Sequence, residues 1–138
     1  MRFNNPFLGR WKYRSYRNQP QHVDKLEDLL FWEADLVIAE TDSWEGFVGA
    51  IYDASDKLII KGSATFGSPF SATFRAIGVP GTETDGWIYD YQGHLVPQYT
   101  NGVDQRRAIV GSVIRTVAHS NGKAVAGYVA SFIAVRQD

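Results

Sequence analysis

The residues with the reach to do chemistry are one arginine and a set of aromatic side chains. Arg115 is the one charged residue in the run Ala108–Ala118, which otherwise reads as Ile, Val, Gly, Ala, Ser and Thr. An unpaired guanidinium is costly to bury, so Arg115 is expected to have a partner. That partner is either structural, with Asp90 as the ion-pair candidate or Trp11 as a ring to cap, or it is a ligand. The planar guanidinium fork suits a carboxylate, which makes Arg115 a candidate anchor for an anionic head group. Trp11, Tyr13, Tyr52, Trp87, Tyr89, Tyr91 and Tyr128, with Ser15, occupy inward-pointing positions of alternating segments. They fit a filled core whose hydroxyls find backbone partners, and equally an aromatic-lined pocket for a small, flat, partly apolar molecule. Ser15, Ala50, Gly62, Ala64 and Ala72 are small and leave room among them.

No catalytic motif stands beside these residues. There is no nucleophile elbow, zinc-protease helix motif, phosphate loop or dinucleotide fingerprint. Ser63 and Ser112 follow glycines but sit inside strands, where nothing activates them. His22, His94 and His119 lack metal-ligand spacing and read as surface or hydrogen-bonded histidines. Asp24, Glu27 and Asp28 suit the first turn of a helix, while Glu40, Asp42 and Glu45 flank a turn. The chain has no cysteine, which excludes disulfides and zinc–thiolate sites. No metal or cofactor is expected. A net charge of −1 gives no basic stripe for nucleic acid.

The elements that position these groups are strands. Residues 7–16 alternate, with Gly9, Trp11, Tyr13 and Ser15 facing in and Arg10, Lys12 and Arg14 facing out. One or two helical turns fall between Val23 and Leu30, with Asp24 as a cap candidate. Strands follow at Trp32–Ile38, Glu45–Tyr52, Lys57–Phe66, Phe70–Val79 and Trp87–Gln92. Gly46, Val48, Ala50 and Tyr52 are assigned inward in the third of the eight. Residues 93–106 read as irregular. A long hairpin closes the chain, Ala108–Ala118 and Ala124–Arg136, around Asn121-Gly122, a pair that favours a tight turn with positive φ. That hairpin has no polar face, so something is expected to cover both sides.

Eight consecutive antiparallel strands with short connections predict an all-β fold, a closed up-and-down barrel in one domain spanning residues 1–138. A two-sheet sandwich is the alternative. The opening Asn4…Gly9-Arg10-Trp11 resembles the Gly-x-Trp start of the calycin superfamily, which includes lipocalins, avidins and fatty-acid-binding proteins. The resemblance implies a tryptophan that closes one end of the barrel under a late basic residue, a part open here to Arg136 or Arg115. Length and the two-sided late strands look most like the streptavidin-like branch, in which the last strands pair with another subunit.

Three functions stay open. One is a small-molecule-binding barrel with a Tyr-rich lumen. Another is an isomerase or cyclase that works by enclosure and one or two tyrosines. The third is a structural or interaction module with a filled lumen. Homo-oligomerisation, as a dimer or tetramer, is expected through the 107–136 hairpin, because its outer face is too apolar for water. No apolar leader begins the sequence, and no run approaches the roughly 18 apolar residues of a membrane span. A cytoplasmic location and no membrane partner are therefore the expectation.

Overall fold

The structure is a computed structural model that describes residues 5–138, so Asn4 of the opening motif lies outside the described residues. Eight strands close into an antiparallel barrel in chain order: β1 (Gly9–Arg17), β2 (Leu30–Glu40), β3 (Gly46–Tyr52), β4 (Lys57–Thr65), β5 (Ser71–Gly78), β6 (Ile88–Leu95), β7 (Ala108–Arg115) and β8 (Val129–Arg136). β8 pairs back onto β1, with Trp11 opposite Arg136 and Tyr13 opposite Ala134, so the sheet has no free edge and the sandwich alternative falls. One turn of 3-10 helix, Leu26–Leu29, is the only helix among the described residues. Asp24 does not cap it; its carboxylate faces His22 instead. No helix of the described residues is long and apolar enough to cross a membrane.

Three segments depart from the sequence reading. In β3 the inward residues are Phe47 and Ile51, which are buried, and Val48, Ala50 and Tyr52 point out. The register decides this: Ile51 sits opposite buried Leu36, and Tyr52 opposite the outward Asp35. β6 continues to Leu95 because Gly93 and Gly111 face each other across the β6–β7 ladder and let the strands run close. At Gly111 an added Cβ would lie 2.0 Å from the Gln92 carbonyl. The closing hairpin is shorter than its apolar run. β7 stops at Arg115, β8 starts at Val129, and residues 116–128 form an arm over that end of the barrel. Ser120, Asn121 and Gly122 all take positive φ at the arm's tip, and Gly127 does so at its root (φ 88°), which ends the ladder. The arm is pinned where the Gly127 and Val125 backbones bond the Arg115 carbonyl and side chain.

The two ends of the barrel differ. At one end Trp11, 1% exposed, donates from Nε1 to the Phe7 carbonyl at 3.0 Å, and the Arg136 guanidinium lies 4.9 Å from its ring centroid. Arg136 also donates to the Leu8 carbonyl. Gly9 is needed there on two counts: its φ is +135°, and a Cβ would lie 2.7 Å from Arg136 Nη2. Phe7, Phe47 and Phe74 continue the packing inward, with Phe7–Phe47 centroids 6.4 Å apart and Phe47–Phe74 centroids 5.8 Å apart. This end is closed.

Candidate functional site

The opposite end opens into a cavity of about 260 Å³, lined by Tyr13, Ser15, Phe31, Trp32, Asp56, Leu58, Trp87, Tyr89, Tyr91, Val113, Arg115 and His119. Its floor is aromatic. Tyr13 and Tyr91 share a hydrogen bond between hydroxyls at 2.9 Å, Tyr91 stacks on Phe74 at 4.6 Å, and Phe132 packs beneath both phenols. Below that layer the lumen is filled. Burial pushes the Tyr13 phenol up to about 12 and the Tyr91 phenol well above its ordinary value, so both stay neutral in any ordinary buffer. Ser15 Oγ is buried and makes no hydrogen bond of normal geometry, although it lies close enough to the Tyr13 phenol to favour its ionised form slightly.

Arg115 is 7% exposed and takes its partners from neutral groups. Nε donates to the Tyr89 hydroxyl at 2.9 Å and Nη1 donates to the Val125 carbonyl at 3.1 Å. The rings of Tyr128, Phe31 and Tyr89 surround its Cζ at 5.1, 5.7 and 5.7 Å, a cation–π collar. The anticipated ion pair with Asp90 is not formed. Asp90 lies on the outer face of β6, where Arg75 grips it through Nε at 2.8 Å and Nη2 at 3.1 Å and Thr116 donates to it. Strand parity separates the two: Tyr89 points in and Asp90 points out. Nor does Arg115 cap Trp11, which is at the other end under Arg136. No carboxylate pairs with Arg115 among the described residues.

His119 completes the site. The arm folds back so that its imidazole stacks on Trp87 at 4.0 Å and 14°, with Nε2 2.7 Å from the Tyr89 hydroxyl and Nδ1 2.8 Å from Ser120 Oγ. Desolvation, with the Arg115 charge behind it, lowers the pKa of His119 below the ordinary histidine value. On the facing wall Trp32 Nε1 donates to Asp53 at 2.7 Å, which holds the Asp53 carboxyl low, while desolvation raises Asp56.

Of the residues singled out from the sequence, Tyr13, Ser15, Trp87, Tyr89, Tyr91 and Arg115 come together in this mouth. Trp11 belongs to the closed end, Tyr52 faces outward, and half-buried Tyr128 flanks the guanidinium without lining the cavity. Phe31, Trp32, Asp56 and His119 were not among them. Trp32 had inward parity and was legible. His119 was not, since its place depends on how the arm folds back. No group of three or more His, Cys, Asp or Glu able to hold a metal occurs among the described residues. Comparisons with protein-family models, with curated proteins and with solved structures find no match to this chain.

Proposed function

We propose that the barrel is a receptor for one small, flat, partly apolar molecule carrying an anionic group, held in the mouth with that group on Arg115. One observation carries this reading: a buried guanidinium without a carboxylate partner faces an aromatic cavity that also contains an unpartnered buried hydroxyl, Ser15 Oγ. A fork of five donors takes a planar anion well. Trp32, Trp87 and Tyr91 supply flat apolar walls, and the filled floor limits the ligand to about the size of a bicyclic aromatic acid. Relationship to the calycin-type barrels belongs to the same proposal, supported by Gly9-Arg10-Trp11 at the start of β1 and the arginine over that tryptophan.

The test is a tryptophan-fluorescence titration with 2-naphthoate and with its methyl ester, since Trp32 and Trp87 line the site. The acid should bind more tightly than the ester. Arg115→Met should remove that preference, weakening the acid by about 10- to 100-fold, the worth of a hydrogen bond to a charged group. Equal affinity for acid and ester in the wild-type protein sinks the assignment of Arg115 as anchor.

The same proposal includes a second copy of the chain as partner. The outer face of β7–β8 carries Val110, Ser112, Ile114, Val129, Ser131, Ile133 and Val135 and no charge, and Ile114, Val129 and Ile133 are 40%, 44% and 36% exposed. The walls on either side of it carry ion pairs, Lys12–Asp35 and Arg14–Glu33 on β1–β2 and Arg75–Asp90 on β5–β6. An uncharged apolar face among charged ones favours burial against another subunit.

A further inference from the structure

We propose that the mouth of the barrel is also a proton-transfer site, in which Tyr89 moves a proton to and from the carbon beside the keto group of an aryl keto acid. The inference rests on the receptor reading above and adds catalysis to it. Its basis is a relay of fixed direction. An arginine can only donate, so the Tyr89 oxygen accepts from Arg115 Nε at 2.9 Å. The phenolic proton is then free to point the other way, onto His119 Nε2 at 2.7 Å. His119 is thereby the neutral tautomer with its proton on Nδ1, where Ser120 Oγ accepts it at 2.8 Å. The imidazole cannot swing away without losing its stack on Trp87, 4.0 Å off and nearly parallel.

These are the parts a general base requires: an oxygen at the reaction site, a neighbouring acceptor for its proton, and a fixed donor, Arg115 Nε, that orients the hydroxyl. The three residues come from β6, β7 and the arm, so the relay is assembled by the fold.

The step balances without a co-reactant. Tyr89 passes its proton to His119 Nε2 as its oxygen takes the proton from the substrate carbon. The C–H bond breaks, its electron pair becomes the carbon–carbon double bond of an enolate, and the charge on the keto oxygen faces Arg115. While the enolate is bound, the Tyr89 hydroxyl proton exchanges with solvent through the half-exposed imidazole, so that reversal returns a solvent proton to carbon.

Phenylpyruvate is a suitable probe, having a flat ring, a carboxylate and acidic methylene protons. The experiment follows loss of its methylene proton signal by NMR in D2O, with binding measured in parallel by tryptophan quenching. Wild-type protein should accelerate exchange above buffer. Tyr89→Phe and His119→Phe keep the rings and remove the relay atoms; each should lower the protein-dependent rate by about 100-fold or more, with no matching loss of affinity. Added imidazole should restore part of the rate to a folded His119→Ala variant, which a merely structural histidine would not allow. Phenylpyruvate that binds without faster exchange, or exchange unchanged in Tyr89→Phe, overturns the catalytic proposal and leaves the receptor standing. Failure of phenylpyruvate to bind also overturns it, and 2-naphthoate then reports separately on the receptor.

Discussion

Trp11→Ala should lower the stability of the barrel by about 3–5 kcal/mol, the range for truncating a large buried aromatic side chain. The indole is 1% exposed and joins three parts of the closed end. Its Nε1 holds the Phe7 carbonyl, its face carries the Arg136 guanidinium, and its strand lies between β2 and β8. Truncation leaves a cavity, an unpartnered carbonyl and a cation without its ring, so the losses add. For a chain of this size the melting temperature should fall by roughly 10 °C or more. Trp11→Phe, which keeps a ring under Arg136, should cost less. An unchanged melting temperature in Trp11→Ala would mean that the closed end contributes nothing to stability. The binding mouth is at the other end of the barrel, so a Trp11 variant kept below its melting temperature should still bind 2-naphthoate.

The strand run was legible because period-2 patterning is strong wherever a barrel wall separates lumen from water. β1 shows why: Trp11, Tyr13 and Ser15 alternate with three basic residues, and no other register is tolerable. β3 shows the limit. Both parities there mix small residues with one large aromatic, Phe47 on one and Tyr52 on the other, and only the pairing with β2 sends Phe47 and Ile51 inward and Tyr52 outward. Weighting the largest apolar residues over the count of small ones would have found this. The closing hairpin failed differently. Its apolar run continues through the arm, but Gly127 adopts a left-handed φ and the arm's carbonyls are spent on Arg115, a tertiary demand with no local signal. The mouth was half legible for the same reason. Parity brought Tyr13, Tyr89, Tyr91 and Arg115 together, whereas His119 reaches Tyr89 only through the arm's return. Asp90 looked like the partner of Arg115 because both lie on adjacent strands, yet opposite parity keeps them on opposite sides of the wall.

Ile133→Lys should convert a dimer into a folded monomer. The outer face of the last hairpin reads Val110-x-Ser112-x-Ile114 on β7 and Val129-x-Ser131-x-Ile133 on β8, and Ser112 pairs with Ser131 at the centre of the ladder. Strands run antiparallel, so a half-turn about the axis through that serine pair carries Val110 onto Val129 and Ile114 onto Ile133. A patch that repeats itself in this way, uncharged and apolar at both ends, suits a two-fold contact in which the same surface serves both subunits. Beside it the wall is hollowed by a groove of about 650 Å³ that runs from Val129, Ile114 and Ser112 across Gln92 and Thr73 to the charged Arg75, Asp90 and Lys61. The 18–25 segment does not cover the face. It is largely exposed and reaches it through one hydrogen bond, from Ser131 Oγ to Asn18 Oδ1. A lysine at position 133 would bury an unpaired charge in each half of the contact, a penalty of several kcal/mol. Ile133 points away from the lumen, so circular dichroism and 2-naphthoate binding should be unchanged in the variant. A second outward apolar row, Ala50, Ile59, Ile77 and Ile88, crosses β3 to β6 and provides the control. Sedimentation at micromolar concentration should give a dimer for wild type and for Ile59→Lys, and a monomer for Ile133→Lys and Val129→Glu. A wild-type chain that remains monomeric at high concentration refutes the contact, and dissociation by Ile59→Lys alone moves it to the other row.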